Sequence, residues 1–375
     1  MQVLMISLDN GLLDRQNQAS DSLERHLRYA QILEEHQPGS HLHILVRGGK
    51  TAVSRSISSN LTLHATQAPL PQFLRNGRQL AQQQHQQAAF DLITTQSPFW
   101  DGVLGVWLSR RFKTPLLVQL HLSSLGSAEW LNESIINRLR QRIGTFVLKR
   151  ASAIRVVSKA AEEWLTKSLN IAPQKVDFLP VTAVSLTIDP SITKHPKPTV
   201  LYVGRLSKEK GVDLLLDAFT EVLKKLPTVQ LQIIGDGPER EALEQQAKAI
   251  KIIENTRFSG AIPPAQIGSH YQMATVLALP SRHESFGRVI IEAFSVGLPV
   301  VATQTEGANF LIQNGKNGFL VPVEASSLLA KKLIQVCSDP QFASELGQNG
   351  YASSEAYRDI NAQTRTLIKY WASII

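Results

Sequence analysis

The sequence predicts an α/β protein built from two parallel, helix-flanked sheets in tandem. Three observations carry that expectation. Short apolar runs alternate with amphipathic helical patterns from residue 3 to residue 180. Residues 181–198 then hold three prolines and no helical period, as an interdomain linker does. The alternation restarts at residue 199, and 375 residues exceed what one ordinary core encloses. The expected domains are 1–185 and 186–355, followed by a helical segment 356–375.

In the first half, residues 3–8 read as a buried strand and Asp9-Asn10-Gly11 as a turn. Asp21, with Glu24 three residues later, starts a helix whose buried face carries Leu23, Leu27 and Leu33. Strands are expected at 41–46, 61–65, 90–95, 115–122, 153–157 and 176–180. Helices are expected at 73–87, 102–112, 132–149 and from Ser158 to about 169. The second half predicts strands at 200–203, 229–234, 256–259, 274–279, 298–302 and 318–321. Its helices fall at 212–226, 239–250, 263–273, 286–296 and 325–337, with a long amphipathic one at 356–371. Doubly wound sheets bind ligands in the crevice beyond the carboxyl ends of their strands.

Composition narrows the class. A hydrophobic content of 43% with 19% charged residues describes a soluble globular chain. No apolar run reaches membrane-spanning length, and residues 1–8 lack the basic leader and cleavage site of a signal peptide. A single cysteine, Cys337, excludes an internal disulfide framework and fits a reducing cytoplasm. The net charge of +8 is one-sided: residues 1–185 hold 20 Lys+Arg against 13 Asp+Glu, and residues 186–375 hold 19 against 18. Such an excess suits an anionic partner. Dinucleotide and Walker fingerprints, Asp-x-Asp pairs and His/Cys metal spacings are absent, against dehydrogenase, kinase and metal-dependent transferase readings.

The chemistry concentrates at strand-to-helix turns of the second half. Residues 279–302 read as strand end, loop, helix, stop and strand. The loop carries Glu284 and the helix carries Glu292, eight residues later. The helix start at Ser285-Phe286-Gly287 offers backbone N–H groups and a positive dipole end to phosphate. Glu292 lies among apolar residues and needs a partner there. Gly204-Arg205 and Lys210-Gly211 follow the strand at 200–203 and bring two cations to a close-approach turn. Gly235-Asp236-Gly237-Pro238 is the next such turn, and Gly260-Ala261 follows the strand after it.

The run Glu284-Ser285-Phe286-Gly287-x4-Glu292-Ala293 resembles the signature of the retaining glycosyltransferases called family 4 or group 1. That resemblance implies the GT-B fold, two Rossmann-like domains facing across a cleft, with the final helix crossing back onto the first. It implies that Glu284 contacts donor-sugar hydroxyls and Glu292 holds the nucleotide ribose. Arg205 and Lys210 would neutralise the diphosphate, with Gly204, Gly235, Ser285, Phe286 and Gly287 against the nucleotide and its phosphates. Gly260 and Ala261 would lie where the base rests. In the first half it implies Gly11 at the donor phosphates and His121 beside the anomeric region. The chain departs from the family at 305–310, where Thr-Glu-Gly-Ala-Asn-Phe replaces the usual Gly-Gly and Pro-Glu, and at 180–186. Gly11 is one glycine where a pair is common.

The expectation is therefore a metal-independent hexosyltransferase with no cofactor, moving a sugar from a nucleotide-diphosphate sugar to a glycan or lipid-linked hydroxyl in polysaccharide or glycolipid biosynthesis. Two alternatives stay open: a sugar-nucleotide epimerase or phosphorylase on the same fold, and a basic nucleic-acid-binding protein. The latter lacks a recognition module, so nucleic acid is not an expected partner. The helix at 132–150 carries Arg138, Arg140, Arg142, Lys149 and Arg150 beside Ile135, Ile136, Leu139, Ile143, Phe146 and Leu148. Either its apolar residues face the core, or the helix meets an anionic membrane from the cytoplasmic side.

Overall fold

The computed structural model describes residues 1–13, 21–49, 51–67, 69–121, 125–126, 130–131, 134–181, 186 and 188–375. Two compact units emerge, one of Met1–Pro180 with Asn361–Ile375 and one of Val181–Ile360.

The first unit is an eight-stranded sheet in the order β3-β4-β2-β1-β5-β6-β7-β8. Its strands are β1 (Gln2–Ser7), β2 (His41–Val46), β3 (Val53–Ser58), β4 (Leu61–Ala65), β5 (Leu92–Thr95), β6 (Leu116–Leu120), β7 (Ala153–Val156) and β8 (Val176–Phe178). All neighbours pair in parallel except β3 with β4. The helices are α1 (Asp21–His36), α2 (Leu70–Gln87), α3 (Trp100–Phe112), α4 (Ile135–Leu148) and α5 (Lys159–Glu163). Central parallel strands are covered on both faces, so β1 reads Val3-Leu4-Met5-Ile6, all four fully buried. Ser134 caps α4 through its hydroxyl, and residues 132–133 lie outside the described residues. Beyond α5 the chain widens into a π-helical turn, Trp164–Ser168.

β3 is absent from the sequence expectation. Its Val-Ser-Arg-Ser-Ile-Ser is mostly exposed, so no apolar run announces it, and its polar side chains suit an unpaired edge.

The second unit is a six-stranded parallel sheet in the order β11-β10-β9-β12-β13-β14. The strands are β9 (Thr199–Val203), β10 (Gln230–Ile234), β11 (Thr256–Gly260), β12 (Val276–Leu279), β13 (Val300–Thr303) and β14 (Gly318–Val321). The helices are α6 (Val212–Lys225), α7 (Arg240–Ala249), α8 (Pro264–Met273), α9 (Arg288–Ser295), α10 (Glu306–Leu311), α11 (Ser326–Ser338), α12 (Pro340–Ser353) and α13 (Glu355–Arg358). Cys337, on α11, is buried in the core around Phe219 and Leu333. Burial pushes its thiol up to about 12.

One helical expectation changes and one helix was not expected. The segment 356–371 is broken at Asp359, so α14 (Ile360–Ile374) starts afresh and packs Leu367, Ile368 and Trp371 into the first unit's core beside Tyr29. α12 went unread although Asp339 accepts from Phe342 N and Pro340 occupies the first helical position, a readable start signal.

The first unit also buries a stack of imidazoles between β2 and β4. His43 Nδ1 lies 3.2 Å from His64 Nε2, and Ser54 Oγ meets His64 Nδ1 at 2.7 Å. Burial, with the neighbouring imidazoles, lowers His43 to about 3 and His64 to about 4. Both stay neutral in the folded protein below the ordinary value of about 6.5, at which the unfolded chain protonates. Between those limits the unfolded state binds more protons, so stability falls as pH falls. The melting temperature is expected to drop from pH 7 to pH 5, and with a shallower slope after His43→Gln/His64→Gln. An unchanged slope in that variant, followed by circular dichroism, would place the acid sensitivity elsewhere.

Candidate functional site

Parallel strands deliver all their carboxyl ends to one edge, so the loops after β9, β10, β11, β12 and β13 meet there. The chain builds from β9 to β10 and β11 on one side, then returns to lay β12 on the other. The strand order therefore reverses between β9 and β12.

Lys210 leaves β9 and Glu284 leaves β12, and they close across that reversal. Lys210 Nζ meets Glu284 Oε2 at 2.7 Å, with both side chains largely covered. The other oxygen, Oε1, accepts from Gly287 N at 3.2 Å. Gly287 has a φ of 82°, a backbone state that resists any side chain, and starts α9. The backbone carbonyl of Glu284 accepts from Gly307 N at 2.8 Å, which brings the start of α10 into the same cluster. Phe286 is buried, its ring near Phe310 and Tyr357 and its backbone packed against Gly307.

The two loops are tied by a residue the sequence reading passed over. Arg282 forks onto Asp213, at 2.8 and 2.7 Å, and reaches Glu324 Oε1 at 2.5 Å. It also donates to Lys208 O at 2.7 Å, while Glu209 O accepts from Arg282 N at 2.8 Å. The Asp213 hydrogen bonds raise the guanidinium's pKa and lower that of the carboxylate. A basic residue in the loop after β12, whose acidic partners lie at the start of one helix and in the turn before another, gave too little pattern to single out.

Glu292 has the partner its apolar setting demands. The hydroxyl of Tyr271, on α8, donates to Glu292 Oε2 at 2.7 Å, and Arg288 lies 4.0 Å from Oε1. Burial and the Glu292 charge push the Tyr271 hydroxyl far up, so it stays a donor.

The remaining turns interlock. Gly204 N donates to Ile234 O and Gly235 N to Gly260 O, which joins β9, β10 and β11 at their ends. A Cβ on Gly235 would strike the carbonyl of Gly204, so these two loops are in backbone contact. Arg205 is exposed at this edge, its carbonyl held by Tyr202 Oη at 2.9 Å. Ala261 follows β11 and is exposed, and Ser285 is half-buried. The structure thus gathers Gly204, Arg205, Lys210, Gly235, Gly260, Ala261, Glu284, Ser285, Phe286, Gly287 and Glu292 at one edge of the second unit's sheet.

Gly11 and His121 belong to the first unit. Gly11 N donates to Asp9 Oδ1 at 3.0 Å in a 3-10 turn after β1. His121 follows β6 directly and is half-buried. Desolvation, then Arg155 and Arg25, lower it to about 3, so its ring is neutral at neutral pH. Arg155 itself is buried and donates to Gln119 Oε1 at 2.8 Å, Leu179 O at 3.1 Å and Pro180 O at 2.6 Å.

Among the described residues, no group of three or more His, Cys, Asp or Glu could hold a metal. No helix among them is long and apolar enough to cross a membrane.

A doubly wound sheet with clamped acid and base at its strand-order reversal defines a ligand-binding α/β protein. Residues 187–353 match the family of glycosyl transferases group 1, and residues 29–182 match the glycosyl transferase 4-like domain. The fold matches sucrose-phosphate synthase from Thermosynechococcus elongatus, with a TM-score of 0.82 and 21% identity, over 100% of this chain and 99% of that one. It also matches Anabaena HepE in complex with UDP-glucose, with a TM-score of 0.78 and 21% identity over 100% of both chains. By sequence the chain is 27% identical to the alpha-D-kanosaminyltransferase of Streptomyces kanamyceticus, over 64% of this chain and 66% of that protein. It is 28% identical to the D-inositol 3-phosphate glycosyltransferase of Segniliparus rotundus, over 68% of this chain and 61% of that protein. The two sequence matches take in a little under two thirds of each relative's own length. The chain belongs to the group 1 glycosyltransferases and has their GT-B fold.

Arg282→Ala is expected to destabilise the second unit by about 1–3 kcal/mol, because a forked, charge-assisted pair is lost. Arg282→Lys should recover only part of it, since an ammonium cannot fork. Urea unfolding measures both, and full recovery by Lys would reduce the tie to simple charge.

Proposed function

We propose that the protein transfers a sugar from a nucleotide-diphosphate sugar to a hydroxyl acceptor, with retention at the anomeric carbon and without a metal. The observation that carries this reading is the Lys210–Glu284 pair at the reversal of strand order. A lysine ammonium has three donors, so Lys210 can keep Glu284 and still offer two N–H groups to phosphate oxygens. A carboxylate has four lone-pair positions, so Glu284 can keep Lys210 and Gly287 and still accept from sugar hydroxyls. One pair thereby addresses both ends of the bond to be broken.

In the proposed reaction the bond from the anomeric carbon to the phosphate oxygen breaks and its electrons go to the diphosphate. Arg205 and Lys210 stabilise that charge. The acceptor oxygen bonds to the same face of the carbon, and its proton passes to the leaving phosphate. Glu292 takes the ribose, as the family resemblance implies, and Tyr271 holds its carboxylate in place. Held neutral, His121 would supply a hydrogen bond rather than a charge. UDP-glucose is the first donor to try, because Anabaena HepE was solved with it. Incubation with and without acceptor separates transfer from epimerisation on the same fold.

One observation favours a lipid-linked acceptor or an anionic membrane. Ile135, Ile136, Leu139 and Phe146 are exposed on α4, at 82%, 61%, 54% and 41%, so they are not its core side. Arg138, Arg140, Arg142, Lys149 and Arg150 are exposed beside them. Related proteins include the alpha-monoglucosyldiacylglycerol synthase of Acholeplasma laidlawii, 23% identical over 71% of both chains.

Glu284→Ala is expected to lower kcat/KM by roughly a hundredfold or more while UDP binding persists. Lys210→Ala should weaken UDP and slow transfer, and activity should survive excess EDTA. Loss on chelation, restored by magnesium, would defeat the metal-free part. Co-sedimentation should show binding to anionic vesicles that fades with salt, each cation being worth about 1 kcal/mol at the surface. Arg138→Gln/Arg140→Gln/Arg142→Gln should weaken it, and equal partition to neutral vesicles would remove the membrane reading.

A further inference from the structure

The second unit holds another concave site, at the opposite ends of the same strands. A cavity of about 310 Å³ is lined by the first residue of β9, the first three of β10, Arg257 near the start of β11, and His270 and Met273 of α8. The segment leading into β9 closes it with His195 and Lys197. Strands of five residues at about 3.3 Å each separate it by about 15 Å from the turns at Gly204, Gly235 and Gly260.

Its chemistry is one-sided. Among the described residues, four that line it are basic or imidazole, His195, Lys197, Arg257 and His270, and none is acidic. The floor is the buried amide of Gln232, which donates to Ser259 Oγ at 3.2 Å and lies 3.1 Å from His270 Nδ1. An amide nitrogen can only donate, so Nδ1 accepts and the proton of the neutral ring sits on Nε2. Burial, then the charges of Arg257 and His195, keep His270 below the ordinary histidine range. Uncompensated positive potential of this kind favours an anion. Met273 and Pro196 add an apolar wall. At roughly 30 Å³ per water, the volume accommodates about ten waters or a ligand of similar bulk.

The cavity shares two elements with the nucleotide end. Tyr271, next to His270 on α8, donates to Glu292 Oε2. Ser259, which receives the Gln232 amide, precedes Gly260 on β11. We propose that this cavity is a second anion site, for a small phosphomonoester with an apolar body, and that its occupancy reaches α9 through α8 and the Tyr271–Glu292 bond. The guanidinium fork of Arg257 takes the phosphate, Lys197 adds a second charge, and the neutral His270 ring offers its Nε2–H as a donor. The body of the ligand lies against Met273 and Pro196. Coupling of this kind needs a physical connection and a differential effect, and α8 supplies the connection.

Phenyl phosphate is the probe, titrated calorimetrically into the full chain. Arg257→Gln/His270→Gln should weaken it tenfold or more, whereas Lys210→Gln, which alters the other end of the sheet, should leave it within twofold. Arg257 is exposed, so Arg257→Gln alone decides the matter if the double variant melts early. No binding by the wild type, or binding lost in Lys210→Gln and kept in Arg257→Gln, overturns the site. Hydrogen exchange reads the coupling without any nucleotide. Phenyl phosphate should slow exchange in α8 and α9 of the wild type, and in α8 alone after Tyr271→Phe. Protection that stops at α8 in the wild type removes the link.

Discussion

Arg282 holds the loops that leave β9 and β12 to one another, and the candidate chemistry of the second unit depends on that tie. The side chain joins Asp213 at the start of α6, the carbonyl of Lys208, and Glu324 before α11. Lys210 and Glu284 then face each other across the tied loops. Pre-ordering matters because a charge stabilises a transition state best when its position costs nothing to reach. A lysine on an untethered loop would lose much of that benefit to conformational entropy.

The first unit solves a different problem, that of burying polar groups inside a parallel sheet. Thr94, Gln119 and Arg155 lie on β5, β6 and β7 and run as a chain of hydrogen bonds to the carbonyls of Leu179 and Pro180. A buried guanidinium without such partners would cost several kcal/mol. Arg155 is also one of the charges that keep His121 neutral. The same unit leaves apolar side chains of α4 in solvent, the reverse arrangement.

The sequence showed most strands of both sheets, because parallel strands buried on two faces become uninterrupted apolar runs. β1 and β9 are such cases. β3 was hidden because an exposed edge needs no apolar side chains. The loop–helix at Glu284 and the glycine turns were legible as local patterns with a fixed context. Tyr271 and Arg282 were not, since their roles rest on partners 21 and 69 residues away. No local spacing records such a meeting. The exposure of Ile135 and Leu139 was equally out of reach, because a helical apolar pattern does not say what lies opposite it.

The lone cysteine has a practical consequence. Cys337 is buried in the core of the second unit, and its raised pKa leaves almost no thiolate at neutral pH. A thiol reagent therefore reaches it chiefly when that core opens. Because the chain has one cysteine, the labelled fraction counts openings of a single unit and ignores the other. The molecule carries its own clock for the excursions of its second half, with no label to be engineered.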